Sequence, residues 1–167
     1  MEPLAGVNNE DIVKKMQDFK AGRKPATVMH QLSKGWTLYG RLSGQWASKN
    51  LDASEKFALG GPGGVRAWPV GEALGDDGWL GQLELRYQMD AYEPYLFVDA
   101  GGVRINHTPW AEGSNRRSLG GAGLGMRWNA KDWSFESSLG WRFGGGPSTT
   151  DPGAGSPQVW LSLGRRF

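Results

Sequence analysis

The sequence predicts an all-β protein that forms the C-terminal part of an antiparallel transmembrane β-barrel. Three observations predict it. The segments that alternate apolar and polar residues are long, roughly 9–12 residues each, which suits a tilted strand crossing a bilayer. Tryptophan and tyrosine residues lie near the ends of these segments, as in the aromatic girdles of membrane barrels. The polar faces carry charges that a packed sandwich core would exclude but a hydrated lumen accepts.

The residues behind these observations are spread over the whole chain after residue 35. The aromatic residues near the predicted strand ends are Trp36, Trp46, Trp79, Tyr87, Trp128, Trp133 and Trp141. The charged residues on the polar faces are Arg41, Glu84, Arg86, Asp99, Glu136 and Arg142. The chain of 167 residues also has 27 glycines and 9 tryptophans but a hydrophobic content of only 38%. A water-soluble core of this size normally uses more Ile, Val and Leu.

The first 25 residues form a separate N-terminal segment in this interpretation. Asn8–Ala21 is the one helix-like stretch, because Ile12, Val13, Met16 and Phe19 recur at helical spacing. A short surface helix and a loop both fit it.

From residue 26 onward the period of the apolar residues is two, which indicates strands. Leu83 and Leu85 face one way, for example, whereas Glu84 and Arg86 face the other. The predicted strands number about seven and are separated by turns rich in Gly, Pro, Asp and Asn. They cover residues 26–32, 36–46, 78–89, 95–101, 118–128, 132–143 and 158–167.

A long loop at about residues 48–78 separates the second and third predicted strands. It is broken by glycine and proline, carries Arg66 and Trp68, and runs directly into the strand that holds Glu84 and Arg86. Seven strands do not close a bacterial barrel of this type, which has an even number of strands from eight upward. We therefore expect the chain to be the C-terminal part of a larger barrel or the product of a truncated reading frame, since an unpaired edge in lipid is costly.

Other function classes find little support. The sequence has no cysteine, its two histidines (His30 and His107) are isolated, and no catalytic triad can be assembled. The glycine-rich stretch 120–125 lies in an alternating strand and lacks the helix and acidic residue of a dinucleotide site. A net charge of +2 is too small to indicate nucleic-acid binding. We expect no enzyme, no metal site and no cofactor.

The loop EKFALGGPGGVRAWPVGEALGDDGW, followed by LGQLELRY, then FVDAG and a terminal Phe, resembles the C-terminal barrel of two-partner-secretion transporters. These are the haemolysin and haemagglutinin secretion/activation proteins, and the resemblance covers roughly residues 27–167. It implies a barrel of roughly sixteen strands in the bacterial outer membrane. It also implies that an unfolded exoprotein is exported through this barrel without nucleotide. The implied partners are this exoprotein, the barrel-assembly machinery during insertion, and outer-membrane lipid.

The resemblance also implies roles for residues of the long loop. In the family this loop enters the lumen, and its tip carries a Val-Arg-Gly-Tyr/Phe motif whose arginine pairs with acidic residues of the wall. The corresponding residues here are Val65, Arg66, Ala67 and Trp68, with Asp99 and, second, Glu84 as the wall partners. Alternatively, Arg66 is a solvated loop charge and Glu84 only lines the lumen beside Arg86.

Two further residues bear on this expectation. Ala67 replaces the family's glycine, and alanine at positive φ costs roughly 1–2 kcal/mol. The loop tip therefore has negative φ there, or it is bound less firmly than in relatives. At the other end, Phe167 follows Val159, Leu161 and Leu163 in register and resembles the C-terminal insertion signal of outer-membrane barrels.

Two other functions remain open at this point. One is a barrel-assembly insertase of the same superfamily, which would differ mainly in its periplasmic domains. The other is a structural or adhesion barrel that transports nothing, or a soluble β-domain.

Overall fold

The computed structural model describes residues 26–110 and 112–166. They form a seven-stranded antiparallel sheet and a small two-stranded ribbon, so the predicted all-β antiparallel fold is confirmed. The helix-like stretch 8–21 and Phe167 lie outside the described residues. The strands are β1 (Ala26–Ser33), β2 (Trp36–Gln45), β3 (Phe57–Ala58), β4 (Leu74–Gly75), β5 (Asp77–Tyr87), β6 (Tyr92–Arg104), β7 (Arg116–Ala130), β8 (Trp133–Phe143) and β9 (Gln158–Arg165).

The strand order in the sheet is β1-β2-β5-β6-β7-β8-β9, so each strand pairs with its neighbour in sequence except around the long loop. The ribbon of β3 and β4 is an insertion within that loop, between β2 and β5. Residues 34–35, 88–91 and 131–132 connect the strands at one end of the sheet, which we call the short-turn end. Residues 46–76, 105–115 and 144–157 connect them at the other, which we call the long-loop end.

The two faces of the sheet differ in the way the alternation predicts. The outer face, defined here as the one bearing Leu83 and Leu96, is apolar and open: Leu96 is 57% exposed and Leu161 70%. The inner face bears Glu84 and Asp99, which are buried. A water-soluble protein has the opposite arrangement, with the apolar face covered and the charges outside. No helix in residues 26–110 and 112–166 has the length and hydrophobicity needed to cross a membrane.

The core lies between the long loop and the inner face of the sheet, at the long-loop end. Its apolar members come from both sides of this contact, so the loop is packed and does not hang free in solvent. They are Leu59, Val65, Ala67, Trp68, Ala73, Leu80, Val103 and Leu119, with Phe57 packed against them. A soluble β-sandwich would cover the apolar outer face with a second sheet. In the described part of the chain, no sheet covers that face.

Candidate functional site

The centre of the site is a buried ion pair between the long loop and the inner face of the sheet, which we call the wall. Asp99 Oδ2 accepts hydrogen bonds from the Arg66 backbone N–H (3.0 Å) and from Arg66 Nε (2.9 Å). Asp99 Oδ1 accepts a third from Arg66 Nη2 at 2.7 Å. Asp99 is fully buried and Arg66 is 4% exposed. This bidentate geometry fixes the orientation of the guanidinium as well as its position.

Glu84 lies beside this pair and binds the same guanidinium through Arg66 Nη1. The register explains the proximity. Glu84 is opposite Phe97 in the β5–β6 pairing, and Gln82 is opposite Asp99, so both carboxylates point from the inner face and lie diagonally across two strands. Gln82 Nε2 adds a hydrogen bond of 2.9 Å to the carbonyl of Gly64, just before the loop tip.

Glu84 has two further cationic partners. Asp99 has no cationic partner other than Arg66 among the described residues. Arg86 Nη2 lies 2.7 Å from Glu84 Oε2, and Arg127 Nη2 lies 3.2 Å from the same oxygen. Arg127 also pairs with Glu93 (2.9 Å) and Glu136 (3.1 Å). Asp99 therefore depends on Arg66 for its charge compensation, whereas Glu84 belongs to a wider network on the wall.

The Arg66 guanidinium also stacks on an aromatic ring. Its Cζ lies 3.8 Å from the centroid of Phe97, a cation–π contact that gains strength when it is shielded from water. Phe97 has room on the wall because Gly123 lies opposite it on β7. A Cβ at Gly123 would come within 2.5 Å of the Phe97 ring.

The loop tip rests on glycines of two wall strands. A Cβ at Gly121 would lie 2.4 Å from Ala67 Cβ, and one at Gly140 would lie 2.9 Å from Ala67 Cα. Ala67 is fully buried, and it is not among the described non-glycine residues with positive φ. The alanine, which stands where the resemblance implies a glycine, therefore has ordinary backbone geometry, which is the first of the two expected outcomes.

Backbone carbonyls of the tip are bound by side chains of the last strands. Arg142 Nε on β8 donates to the Ala67 carbonyl at 3.0 Å. Trp160 Nε1 on β9 donates to the Arg66 carbonyl at 2.7 Å. Together with Gln82, these bonds connect the loop tip to β5, β8 and β9, so the loop bridges β5 to two strands that are not its neighbours in the sheet.

Val65 and Trp68 are the apolar part of the tip, and both are fully buried. Trp68 Nε1 donates to the Gly120 carbonyl at 3.0 Å, so its one polar atom has a partner, as a buried indole requires. The ring lies against Gly145, where a Cβ would come within 2.7 Å of it. The Val65 N–H donates to the Leu59 carbonyl at 2.6 Å, which closes the loop on itself.

A second buried carboxylate, Glu72, ties this loop to the loop between β8 and β9. Its oxygens accept hydrogen bonds from Ser148 Oγ (2.6 Å), from the Thr149 N–H (3.0 Å) and from the Thr150 N–H (3.0 Å). Arg117 Nη2 on β7 lies 2.5 Å from Glu72 Oε1. Burial alone would raise the pKa of Glu72, but the hydrogen bonds from Ser148, Thr149 and Thr150 lower it from 4.5 to about 2.

The contact between the two loops is therefore expected to weaken only in strong acid. Because the folded pKa of Glu72 lies below its ordinary value, its stabilising effect is complete above pH 4.5 and is lost as the pH falls toward 2. Hydrogen exchange at the Thr149 and Thr150 amides, corrected for intrinsic rates, should show this loss of protection.

Glu72→Gln is the matched variant, because it keeps the size of the side chain and removes the charge. Glu72→Gln should lower the protection of the Thr149 and Thr150 amides at neutral pH. It should also make that protection independent of pH between 4.5 and about 2. The Val65 amide, which donates within its own loop, is the internal reference. Equal protection in both proteins at pH 7 would contradict the role given to Glu72.

The structure brings together all the loop and wall residues singled out in the sequence, Val65, Arg66, Ala67 and Trp68 with Asp99 and Glu84. Sequence reasoning missed Arg127 and Trp160, although each lies on the polar parity of its strand. It also missed Glu72, for which the loop sequence carries no periodic signal. Over the described residues, no three His, Asp or Glu side chains are grouped as a metal site would require.

The residues of the expected insertion signal lie on the outer face of β9. Val159, Leu161 and Leu163 are 50%, 70% and 66% exposed, while Phe167 lies outside the described residues. Their role in insertion stays a prediction.

A sequence model of the haemolysin secretion/activation protein ShlB/FhaC/HecB family matches residues 5–128. The chain belongs to this family. Membership of the ShlB/FhaC/HecB family locates the protein in the outer membrane of Gram-negative bacteria, which agrees with the exposed apolar outer face.

Individual relatives agree with the family. Over 136 residues the chain is 29% identical to the heme/hemopexin transporter protein HuxB of Haemophilus influenzae strain Rd, covering 75% of this chain and 23% of that protein. HuxB of strain 86-028NP is 29% identical over 103 residues, or 58% of this chain and 18% of the relative. The chain thus spans about a quarter or less of these relatives.

A solved structure shows the same fold. CdiB from Acinetobacter baumannii superposes with a TM-score of 0.60 at 21% identity, covering 83% of this chain and 25% of CdiB. The seven-stranded sheet is therefore a portion of an antiparallel β-barrel, and its inner face is the face that lines the lumen.

Proposed function

We propose that the complete protein secretes a polypeptide across the outer membrane through its barrel, and that the long loop controls this passage from inside the lumen. The observation that carries the proposal is the Arg66–Asp99 pair, which binds the tip of a loop to the inner face. A loop held there narrows the space through which a polypeptide would pass. The loop also packs Leu59, Val65 and Trp68 against the inner face, so opening the passage would require both the ion pair and this apolar contact to break.

The proposed substrate is an unfolded exoprotein of the haemolysin or haemagglutinin type. The family to which the chain belongs is named for haemolysin secretion and activation, and this supports the choice. The proposed lumen wall also suits an extended chain, because its polar network is mixed in sign: Arg86 and Arg127 stand beside Glu84, Glu93 and Glu136.

A second candidate substrate comes from a named relative. HuxB is called a heme/hemopexin transporter protein, and its similarity extends over 75% of this chain. If this chain serves the same substrate, the complete protein would support the handling of heme/hemopexin. Growth of the host on heme/hemopexin as the iron source, with and without the gene, separates the two substrates.

The test of the secretion proposal starts from the full-length gene and uses a candidate exoprotein encoded near it. Arg66→Ala should change the amount of exoprotein exported and increase the rate at which proteinase K cuts the loop, because Asp99 then has no cationic partner among the described residues. The control is Arg41→Ala. Arg41 also faces the lumen, on β2, but makes no hydrogen bond or ion pair with the loop among the described residues. Export and loop cleavage equal to wild type in Arg66→Ala would contradict the proposal.

A further inference from the structure

An open groove of about 500 Å³ lies on the outer face at the long-loop end of β5, β6 and β7. Trp46 and Trp79 line one side of it, and Arg104 and Arg116 line the other. These four residues lie on the opposite face of the sheet from Asp99, so this part of the groove faces away from the lumen. None of the contacts described for the loop tip involves it.

Strand register builds the groove. Asp77, Arg104 and Arg116 stand side by side across β5, β6 and β7 and form one charged row. The next row toward the middle of the sheet is Trp79, Gly102 and Ser118. Its two small residues leave a depression, and the Trp79 indole lies over Gly102, where a Cβ would come within 3.1 Å of its Nε1.

The two arginines of the charged row differ in their partners. Arg104 is compensated by Asp77, whose Oδ2 lies 2.7 Å from Arg104 Nε and 2.5 Å from Arg104 Nη2. Arg116 is exposed, and its guanidinium makes no ion pair or hydrogen bond within the described parts of the chain. Arg116, whose charge is not compensated by any described residue, thus lies directly beside the apolar residues of the outer face and next to the paired Arg104. This arrangement favours an anionic group as the occupant.

The position of the groove in the membrane identifies the anion. Outer-membrane barrels have short turns on the periplasmic side and long loops on the outside of the cell. The groove is at the long-loop end, so it faces the outer leaflet, whose main lipid is a glycolipid with phosphate groups on its sugars. Tryptophan side chains such as Trp46 (57% exposed) and Trp79 (47% exposed) prefer this headgroup level.

We propose that this groove is a binding site for the phosphorylated headgroup of the outer-leaflet glycolipid, lipid A, with Arg116 as the principal phosphate ligand and Arg104 beside it. Trp46 and Trp79 border the site where headgroup and acyl chains meet. The site does not depend on secretion, because it uses only the outer face and the known location of the family. It gives the barrel a fixed lipid neighbour next to the strand that leads out of the long loop.

The test is native mass spectrometry of the full-length protein purified in detergent and titrated with bisphosphorylated lipid A. We expect wild type to retain this lipid more tightly than dephosphorylated lipid A. Arg116→Gln should weaken the binding of bisphosphorylated lipid A by about fivefold, since one arginine near an anionic lipid surface contributes ~1 kcal/mol. Because Arg116 has no side-chain partner to lose among the described residues, the variant should fold, and a heat-modifiable band on gels checks this.

The matched control is Arg165→Gln. Arg165 also stands beside a tryptophan, with its Cζ 5.2 Å from the Trp133 ring, but at the short-turn end of the sheet. It should bind lipid A as wild type does. Equal binding of the phosphorylated and dephosphorylated lipids by wild type would overturn the proposal. So would unchanged binding by Arg116→Gln, or an equal loss in both variants.

Discussion

Replacing Asp99 with alanine in the complete protein is expected to release the loop tip and to lower the free energy of unfolding by about 3–5 kcal/mol. Asp99 is fully buried and accepts three hydrogen bonds from Arg66. Without it, the buried guanidinium keeps Glu84 as its one carboxylate partner among the described residues. Denaturant unfolding in detergent measures the first effect, and the rate of proteinase K cleavage within residues 59–75 measures the second.

Glu84→Gln is the matched comparison, because it removes the other carboxylate of the same site. We expect a smaller release of the loop, since Arg66 retains all its bonds to Asp99. The wall network also survives in part, because Arg127 still pairs with Glu93 and Glu136. A Glu84→Gln variant whose loop is cleaved as fast as that of Asp99→Ala would show that the two carboxylates contribute equally, against this prediction.

Adding a single methyl group to the wall below the loop tip should displace the tip. In Gly121→Ala the new Cβ would lie 2.4 Å from Ala67 Cβ, and in Gly140→Ala it would lie 2.9 Å from Ala67 Cα. Overpacking of this kind typically costs about 1–3 kcal/mol. Both variants should therefore increase loop cleavage and lower stability. Gly81→Ala is the control, because the nearest atom to its Cβ is 3.7 Å away.

Adding Ala67→Gly as a second substitution distinguishes Gly121→Ala from Gly140→Ala. In Gly121→Ala the atom in the way is the Ala67 methyl group itself, so adding Ala67→Gly should restore wild-type protection of the loop. In Gly140→Ala the atoms in the way are Ala67 Cα and N, at 2.9 and 3.0 Å. They belong to the backbone, so Ala67→Gly should not rescue this variant. Rescue of both variants, or of neither, would contradict the packing described here.

Much of the architecture can be predicted from the local alternation of apolar and polar residues. Alternation identifies the long strands, because each side chain's face is decided by its own position in the strand. The same rule puts Glu84 and Asp99 on polar faces without knowledge of which strands are neighbours. The meander topology was also predictable, since antiparallel strands joined by short turns pair in sequence order. The strand limits shift by a few residues, as with β6, which begins at Tyr92 and ends at Arg104.

The close contacts of the loop were not predictable in the same way. Gly121 and Gly140 leave room for Ala67 only because the register between β7 and β8 brings them together on the inner face. Glu72 binds residues 148–150, more than 70 positions away. No local pattern marks such a partner, because a loop has no periodicity and the spatial neighbour depends on how the sheet curves beneath it.

The sequence by itself determined the class of the protein, because the alternation, the aromatic residues at strand ends and the sequence motif of the long loop are local properties of the chain. It also determined which residues were candidates for the loop contact. The resemblance already ranked Asp99 before Glu84, but only the tertiary structure gives the physical basis of that order: among the described residues Asp99 pairs with Arg66 alone, whereas Glu84 also binds Arg86 and Arg127. The physical reason is that the free energy of a buried charge depends on every partner within a few ångströms, and those partners come from strands far apart in the sequence.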